Sequence, residues 1–227
     1  QERALSFGEA SALLMREVYL WMTLALIITG ITAYGIATSP GLIYAILSNQ
    51  ALFWGLIIAE FVLVFAISGA INKMSITVAT LLFVLYSVIN GATLSVIFIA
   101  YTAESITNVF FITAATFGAM SLIGYTTKTD LSSMGKYLMM ALIGVVIATI
   151  VNIFMGSSML HMITSYVGVL VFVGLTAYDT QKIKNLLMEA PDAGEHMHKI
   201  ALLGSLTLYL DFINLFIYLL RILGDRK

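Results

Sequence analysis

This chain contains no cysteine, only two prolines and few charged side chains. Without cysteine it cannot form a disulfide, use thiol chemistry or bind a metal through thiolates. Charged residues make up 10% of the chain, against about a quarter in a soluble domain, and the net charge of −1 gives no basic surface for nucleic acid. Hydrophobic residues make up 60%, and the mean hydropathy is +1.01. This composition indicates an integral membrane protein.

The apolar residues are gathered in long stretches. A membrane-spanning helix needs about 20 mostly apolar residues, and this criterion predicts seven spans in one all-α membrane domain covering residues 1–227. Their approximate bounds are 18–38, 51–71, 76–101, 106–125, 137–156, 161–182 and 202–222. Short polar connections join most of them, so neighbouring spans should run antiparallel.

One connection is longer than the others. Segment 184–199 reads KNLLMEAPDAGEHMHK and is predicted to be the one substantial soluble segment. It is too short to hold a catalytic domain. The polar start, QERALSFGEA, lacks the apolar core of a signal peptide.

Lysine and arginine placement predicts the orientation. With a cytoplasmic N-terminus, the three outside loops carry no basic residue. The cytoplasmic segments would carry Arg3, Arg16, Lys73, Lys128, Lys136, Lys182, Lys184 and Lys199. The basic C-terminal tail would lie outside after seven crossings and inside if the last stretch re-enters. We favour a simple seventh crossing because residues 202–220 are uninterrupted.

Two aspartates stand in the last two apolar stretches, where an ionisable side chain indicates a functional site by default. Asp211 is deep in the seventh span, and the structural alternative is a neutral acid that holds helices together, as Asn214 one turn later would. Asp179 lies three residues before Lys182, so an ion pair at the membrane edge would also explain it.

The two aspartates share a local pattern, LTAYD and LTLYLD, in which Tyr178 and Tyr209 place a hydroxyl near each carboxylate. If the carboxyl groups meet in a low dielectric, they cannot both ionise cheaply and must share a proton. Such a pair is a latch that closes when protonated and repels when fully ionised. The two carboxyl groups are predicted at different depths, because Asp179 is about one turn from the cytoplasmic end and Asp211 about two to three turns in. A direct contact requires the seventh span to lie lower than these bounds place it.

Glu60 is the third candidate, with roughly nine to twelve apolar residues on either side, near the bilayer midplane. It is either neutral glue between helices or a cation site along a pore. Asn90 and Asn152 could add neutral oxygens to such a path, although helix packing is the more common role of membrane asparagines. Calcium prefers several hard oxygen ligands, so transient calcium near Glu60, Asp179 and Asp211 is compatible with this chemistry.

Three segments resemble the transmembrane Bax-inhibitor-motif family, in its bacterial branch. They read FGAMSLIGYTTKTDLSSMG, VGLTAYDTQKIKNL and LTLYLDFINLFIYLLRILG. The resemblance implies a seven-helix bundle with the last helix central, in the inner membrane of a bacterium, and a pH-sensitive calcium leak. It implies that Asp179 and Asp211 form a diaspartyl pair and that Glu60 lies on the pore path. One departure is Ile71, which stands where a bacterial member has an arginine that helps to hold the pair.

The primary hypothesis is therefore a proton-gated calcium leak channel whose partners are the lipid bilayer, calcium and protons, without a cofactor. One alternative is a non-conducting protein that modulates a membrane protease or a stress response. A minor alternative is an intramembrane aspartyl protease, but those enzymes carry Gly-x-Gly-Asp where this chain has LYLD ending at Asp211. His161, His196 and His198 lack the spacing of a zinc site. We do not expect an enzyme.

Overall fold

The computed structural model describes residues 7–189 and 194–227, and the predicted sequence features at 1–6 and 190–193 lie outside these ranges. The described residues form helices without a β-strand. The long helices are α1 (Phe7–Ala37), α3 (Gln50–Ala70), α4 (Ile76–Leu94), α6 (Ala103–Thr126), α7 (Ser132–Met155), α8 (Ser158–Glu189) and α9 (Glu195–Leu223). The short ones are α2 (Pro40–Ser48), a 3-10 turn (Ile71–Lys73) and α5 (Ile97–Ala100).

Seven helical stretches of the described residues are long and apolar enough to cross a membrane, which confirms the predicted all-α, seven-span fold. They are Ala12–Ala37, Gln50–Lys73, Ile76–Ala100, Ala103–Thr126, Ser132–Met155, Ser158–Glu189 and Glu195–Leu223. Several start where a polar side chain accepts a hydrogen bond from a free backbone N–H of the first turn. Asn49, Ser75 and Thr102 do so for α3, α4 and α6.

The segment predicted to be soluble, 184–199, is helical for most of its length. Helix α8 continues to Glu189 and α9 begins at Glu195. The reason is amphipathic packing, because Leu187 is fully buried and Met197 is 2% exposed. Charged residues between these apolar positions lowered the average hydropathy and hid the helices. Helix α8 thus continues for seven residues beyond Lys182, where the sixth span was predicted to end.

The chain forms two compact units, each assembled from separate segments. The first contains residues 1–101, 185–209 and 227, and the second contains 102–184 and 210–226. Within the first unit α4 packs against both α1 and α3. At Gly91 an added Cβ would lie 2.7 Å from the carbonyl oxygen of Thr29, so only glycine permits this approach of α4 to α1.

The core of the second unit is aromatic. Phe212 meets the rings of Phe110 and Phe117 edge to face, with centroids 5.6 and 5.5 Å apart, and Phe172 stacks on Tyr218 at 5.8 Å. Burial differs sharply among the spans: 67% of the most apolar stretch of α9 is buried, against 6% in the spans of α3 and α7. Helix α9 is thus the most enclosed of the seven, and α3 and α7 have mostly exposed surfaces.

Candidate functional site

Asp179 on α8 and Asp211 on α9 are both buried in the second unit, 9% and 4% exposed. No charged side chain is expected at such exposure unless it is paired or neutral. Asp179 also lies farther from the end of its helix than the predicted one turn, since α8 continues for ten residues beyond it.

The register of α8 and α9 places the two carboxyl groups at one level. Phe172 on α8 stacks on Tyr218 on α9. Asp179 follows Phe172 by seven residues, and Asp211 precedes Tyr218 by seven residues. Seven residues are about two turns and about 10 Å, which returns to nearly the same helix face. Consecutive spans with a short connection run antiparallel. Seven residues toward the C-terminus of α8 and seven residues toward the N-terminus of α9 therefore lead in the same direction across the bundle.

One oxygen of this site has no hydrogen-bond donor. Oδ2 of Asp211 is fully buried, and no N–H or O–H of the described residues donates to it. A buried acceptor without a partner costs about 1–3 kcal/mol. A proton on one of the two carboxyl groups would supply the missing hydrogen.

Lys182 does not form the ion pair that offered a structural explanation for Asp179. Its side chain is exposed, and its ammonium lies 5.8 Å from the ring centroid of Tyr178. Within the described part of the chain, no carboxylate lies within salt-bridge distance of it. Tyr178 in turn packs so closely on Gly135 of α7 that a Cβ there would overlap its ring.

Helix α6 lies tightly against α8 beside Asp179. A Cβ at Gly124 would overlap the carbonyl oxygen of Ala177, two residues before Asp179. The Thr180 hydroxyl donates to Ser121 at 3.3 Å. Lys184 donates to the carbonyl oxygen of Tyr125 at 2.8 Å. The helix that carries Asp179 is therefore fixed on both sides of the aspartate.

The Tyr209 hydroxyl does not lie beside Asp211 as predicted. The Tyr209 hydroxyl donates to Asn90 at 3.0 Å and lies 2.6 Å from the Thr29 hydroxyl. Two residues along a helix turn through about 200°, so Tyr209 and Asp211 point in opposite directions. Asn214 donates to the Leu210 carbonyl of its own helix at 2.8 Å.

Glu60 lies in the first unit, about 15 Å along the axis from the start of α3. Its half-buried carboxyl accepts a 2.5 Å hydrogen bond from the Thr93 hydroxyl. The side-chain oxygen of the neighbouring Asn90 accepts from the Tyr209 hydroxyl, which agrees with the helix-packing role that is more common for membrane asparagines.

Asn152 has a local role. Its side-chain oxygen accepts from the Ser157 N–H at 2.9 Å, where α7 ends at Gly156 with a φ of 61°. This is a helix C-terminus with glycine in the left-handed conformation.

The histidines do not gather. His198 contacts Glu17 at 2.9 Å in the first unit, whereas His161 starts the second turn of α8 in the other unit. Over residues 7–189 and 194–227, no three histidine or acidic side chains are placed to hold a metal ion.

Comparison with known proteins gives the family. Residues 12–227 match the family described as inhibitor of apoptosis-promoting Bax1. This chain belongs to that family. The Bax inhibitor-like membership confirms the resemblance found in the three sequence segments.

Similar members come from distant bacteria. The inner membrane protein YbhL of Escherichia coli is 51% identical over 215 residues, which cover 94% of this chain and 92% of that protein. A protein of Borreliella burgdorferi is 48% identical over 213 residues, covering 94% and 92%. A membrane protein of Streptococcus pyogenes is 45% identical over 181 residues, covering 79% and 78%. This Bax inhibitor-like chain is an integral membrane protein.

Proposed function

We propose that this protein is a pH-sensitive calcium leak channel of a bacterial inner membrane, gated by a proton shared between Asp179 and Asp211. The observation that carries the proposal is the buried Oδ2 of Asp211, which lacks a donor and lies, by the register of the Phe172–Tyr218 contact, at the level of Asp179. A proton shared by the two carboxyl groups gives this oxygen a hydrogen bond. When both groups are ionised, the oxygen has no donor.

The gate works through the charge of the pair. With one proton, a carboxyl donates to a carboxylate and holds α8 against α9. When pH rises and both groups ionise, two negative charges about 4 Å apart repel by about 4 kcal/mol at an effective dielectric constant of about 20. That energy changes a closed-to-open ratio by about a thousandfold.

Calcium is proposed because the family resemblance implies it and because carboxylates attract hard cations. The pair itself lacks a fixed cation in its contacts: the Lys182 ammonium lies over Tyr178. Ile71, buried in the turn after α3, supplies no charge where a relative has an arginine. The proton therefore has the principal role in holding the pair closed.

The test is calcium flux into liposomes containing the purified protein, measured from acid to alkaline pH. Flux should rise with pH in the wild type. Asp179→Asn and Asp211→Asn keep the shape of the side chain and remove the repulsion, so each should flatten the pH response.

Asp130→Asn is the matched control, because Asp130 is an exposed carboxylate of a loop in the same unit. It should keep the wild-type pH response. A correctly folded wild type that conducts no calcium at any pH sinks the channel proposal. An unchanged pH response in both buried variants sinks the gate.

A further inference from the structure

Gln181 on α8 bonds to the loop that connects α6 and α7. Its side-chain oxygen accepts a hydrogen bond from the Leu131 N–H at 2.8 Å, and its side-chain nitrogen donates to the Thr129 carbonyl oxygen at 2.9 Å. A backbone N–H only donates and a carbonyl oxygen only accepts, so one orientation of the amide satisfies both contacts. Gln181 is buried, with 9% of its surface exposed. The two bonds therefore fasten the loop to α8 with little competition from water.

The neighbours of Asp179 show which element lies on each side of α8. Successive residues of an α-helix are turned by about 100°, so angles measured from Asp179 are about 100° for Thr180 and about 200° for Gln181. Tyr178 lies at about 260° on the same scale. Thr180 donates to a serine hydroxyl of α6, the Tyr178 ring packs against a glycine of α7, and Gln181 bonds to the loop between them. Helix α6, the loop and α7 thus enclose three sides of this turn.

The fourth side of this turn faces α9. Gly168 and Phe172 on α8 lie within about 20° of the direction of Asp179, because they precede it by eleven and seven residues. Both lie against Tyr218 of α9: the Phe172 ring stacks on it, and a Cβ at Gly168 would lie 2.8 Å from its ring. The Asp179 carboxyl therefore points toward α9, where Asp211 lies at the same level.

Gln181 resists rotation of α8 more than the other contacts of this turn do. A rotation of about 30° would move a side-chain group about 5–6 Å from the helix axis by about 3 Å, which exceeds the range of a hydrogen bond. The Thr180 hydroxyl is already 3.3 Å from its partner, and the ring contact of Tyr178 is non-directional. Lys184 can follow a rotation on its flexible four-carbon stem. The Gln181 amide must keep two bonds at once, so a rotation of this size breaks at least one.

We propose that Gln181 is a positioning residue of the gate: through the α6–α7 loop it fixes the rotation of α8 so that the Asp179 carboxyl faces Asp211. The role of the pair in gating rests on the proposed function, whereas the orientation of Asp179 is a property of the fold and can be measured separately. Without the two bonds of Gln181, α8 turns within its contacts, and the two carboxyl groups share a proton less readily.

Disulfide cross-linking of the full chain in lipid measures this orientation without any ion flux. The chain contains no cysteine, so Asp179→Cys combined with Asp211→Cys introduces one pair, which an oxidant joins when the two side chains face each other. Adding Gln181→Leu, an apolar side chain of similar size, removes both bonds and should slow cross-linking at least about fivefold, the effect of one net hydrogen bond on an equilibrium. Gln181→Glu keeps the bond from Leu131 and should give an intermediate rate.

The pH profile of calcium flux tests the consequence for the gate. In the chain that keeps both aspartates, Gln181→Leu should flatten the rise of flux with pH toward the profile of Asp179→Asn. A purely structural loss lowers the amount of folded protein and leaves the shape of the profile unchanged. Thr129→Val is the matched control, because Thr129 bonds to Gln181 through its backbone carbonyl and its side chain is exposed. It should keep the wild-type cross-linking rate and pH profile.

The inference is overturned if the cysteine pair does not cross-link in the otherwise unchanged chain, or if both Gln181 variants cross-link as fast as that chain does. It is also overturned if the wild type shows a pH-dependent flux and folded Gln181→Leu keeps the same profile. A wild type that conducts no calcium sinks the proposed function instead, while slower cross-linking in the Gln181 variants still supports the fixed orientation of Asp179.

Discussion

Gly124 and Gly118 on α6 offer a matched test of how closely α6 must approach the helix of Asp179. A Cβ on Gly124 would lie 2.8 Å from the carbonyl carbon of Ala177 and closer still to its oxygen, whereas a Cβ on Gly118 would meet open space. Both residues lie inside the same helix. The variants Gly124→Ala and Gly118→Ala therefore share the change in helix propensity and differ in the clash.

The magnitude follows from the distances. An ordinary Cβ contact begins at 3.4 Å, so α6 and α8 must part by more than about 0.6 Å, which relieves the 2.8 Å contact alone and not the closer one with the oxygen. Overpacking of this kind costs about 1–3 kcal/mol. Replacing a helical glycine by alanine gains about 0.5–1 kcal/mol in both variants. The difference between the two variants should thus be about 1–3 kcal/mol.

Thermal unfolding of the purified protein in detergent measures this difference. For a chain of this size about 1 kcal/mol shifts Tm by about 2–4 °C, so Gly124→Ala should melt about 2–12 °C below Gly118→Ala. Its calcium flux should also respond differently to pH, because Ala177 lies two residues from Asp179. Equal melting temperatures would refute the close approach of α6 to α8.

Two further predictions concern the same unit. Lys184→Met removes a 2.8 Å charge-assisted bond to the Tyr125 carbonyl and should cost about 1–3 kcal/mol in unfolding experiments, whereas the exposed Lys182→Met should cost under about 0.5 kcal/mol. Hydrogen bonds from the Ser132 hydroxyl and N–H hold the pKa of Asp130 below its ordinary value. Their stabilisation is full above the unfolded pKa and is lost as pH falls through the lower folded value; carboxyl NMR titration of Ser132→Ala should show that pKa move up.

The spans could be predicted because the requirement for about 20 apolar residues is local and one-dimensional. The same criterion did not reveal the helical ends within 184–199, where charged residues alternate with the buried Leu187 and Met197. The mean hydropathy of such a segment is low because of its charged residues. Its apolar face becomes visible only when the packing is known. The span criterion also did not predict the short helix Pro40–Ser48, which is too short to cross a membrane and begins with a proline, a residue favoured in the first turn of a helix.

The candidate residues were found by the cost of placing a charge in hydrocarbon, and that criterion identified Glu60, Asp179 and Asp211 without any knowledge of their neighbours. It could not find their partners. Thr29, Asn90 and Tyr209 lie on three helices and are ordinary residues of membrane spans when taken one at a time. The repeated tyrosine pattern instead suggested a contact with Asp211, which helix geometry forbids.

Two residues of α9 separate the proposed gate from the packing of the same helix. Asp211→Asn removes the charge in the second unit and leaves the contacts of Tyr209 with Asn90 and Thr29 in place. Tyr209→Phe, two residues earlier and about 200° around α9, removes those contacts and leaves both aspartates in place. If the proposed gate is correct, Asp211→Asn flattens the pH response of calcium flux and Tyr209→Phe does not.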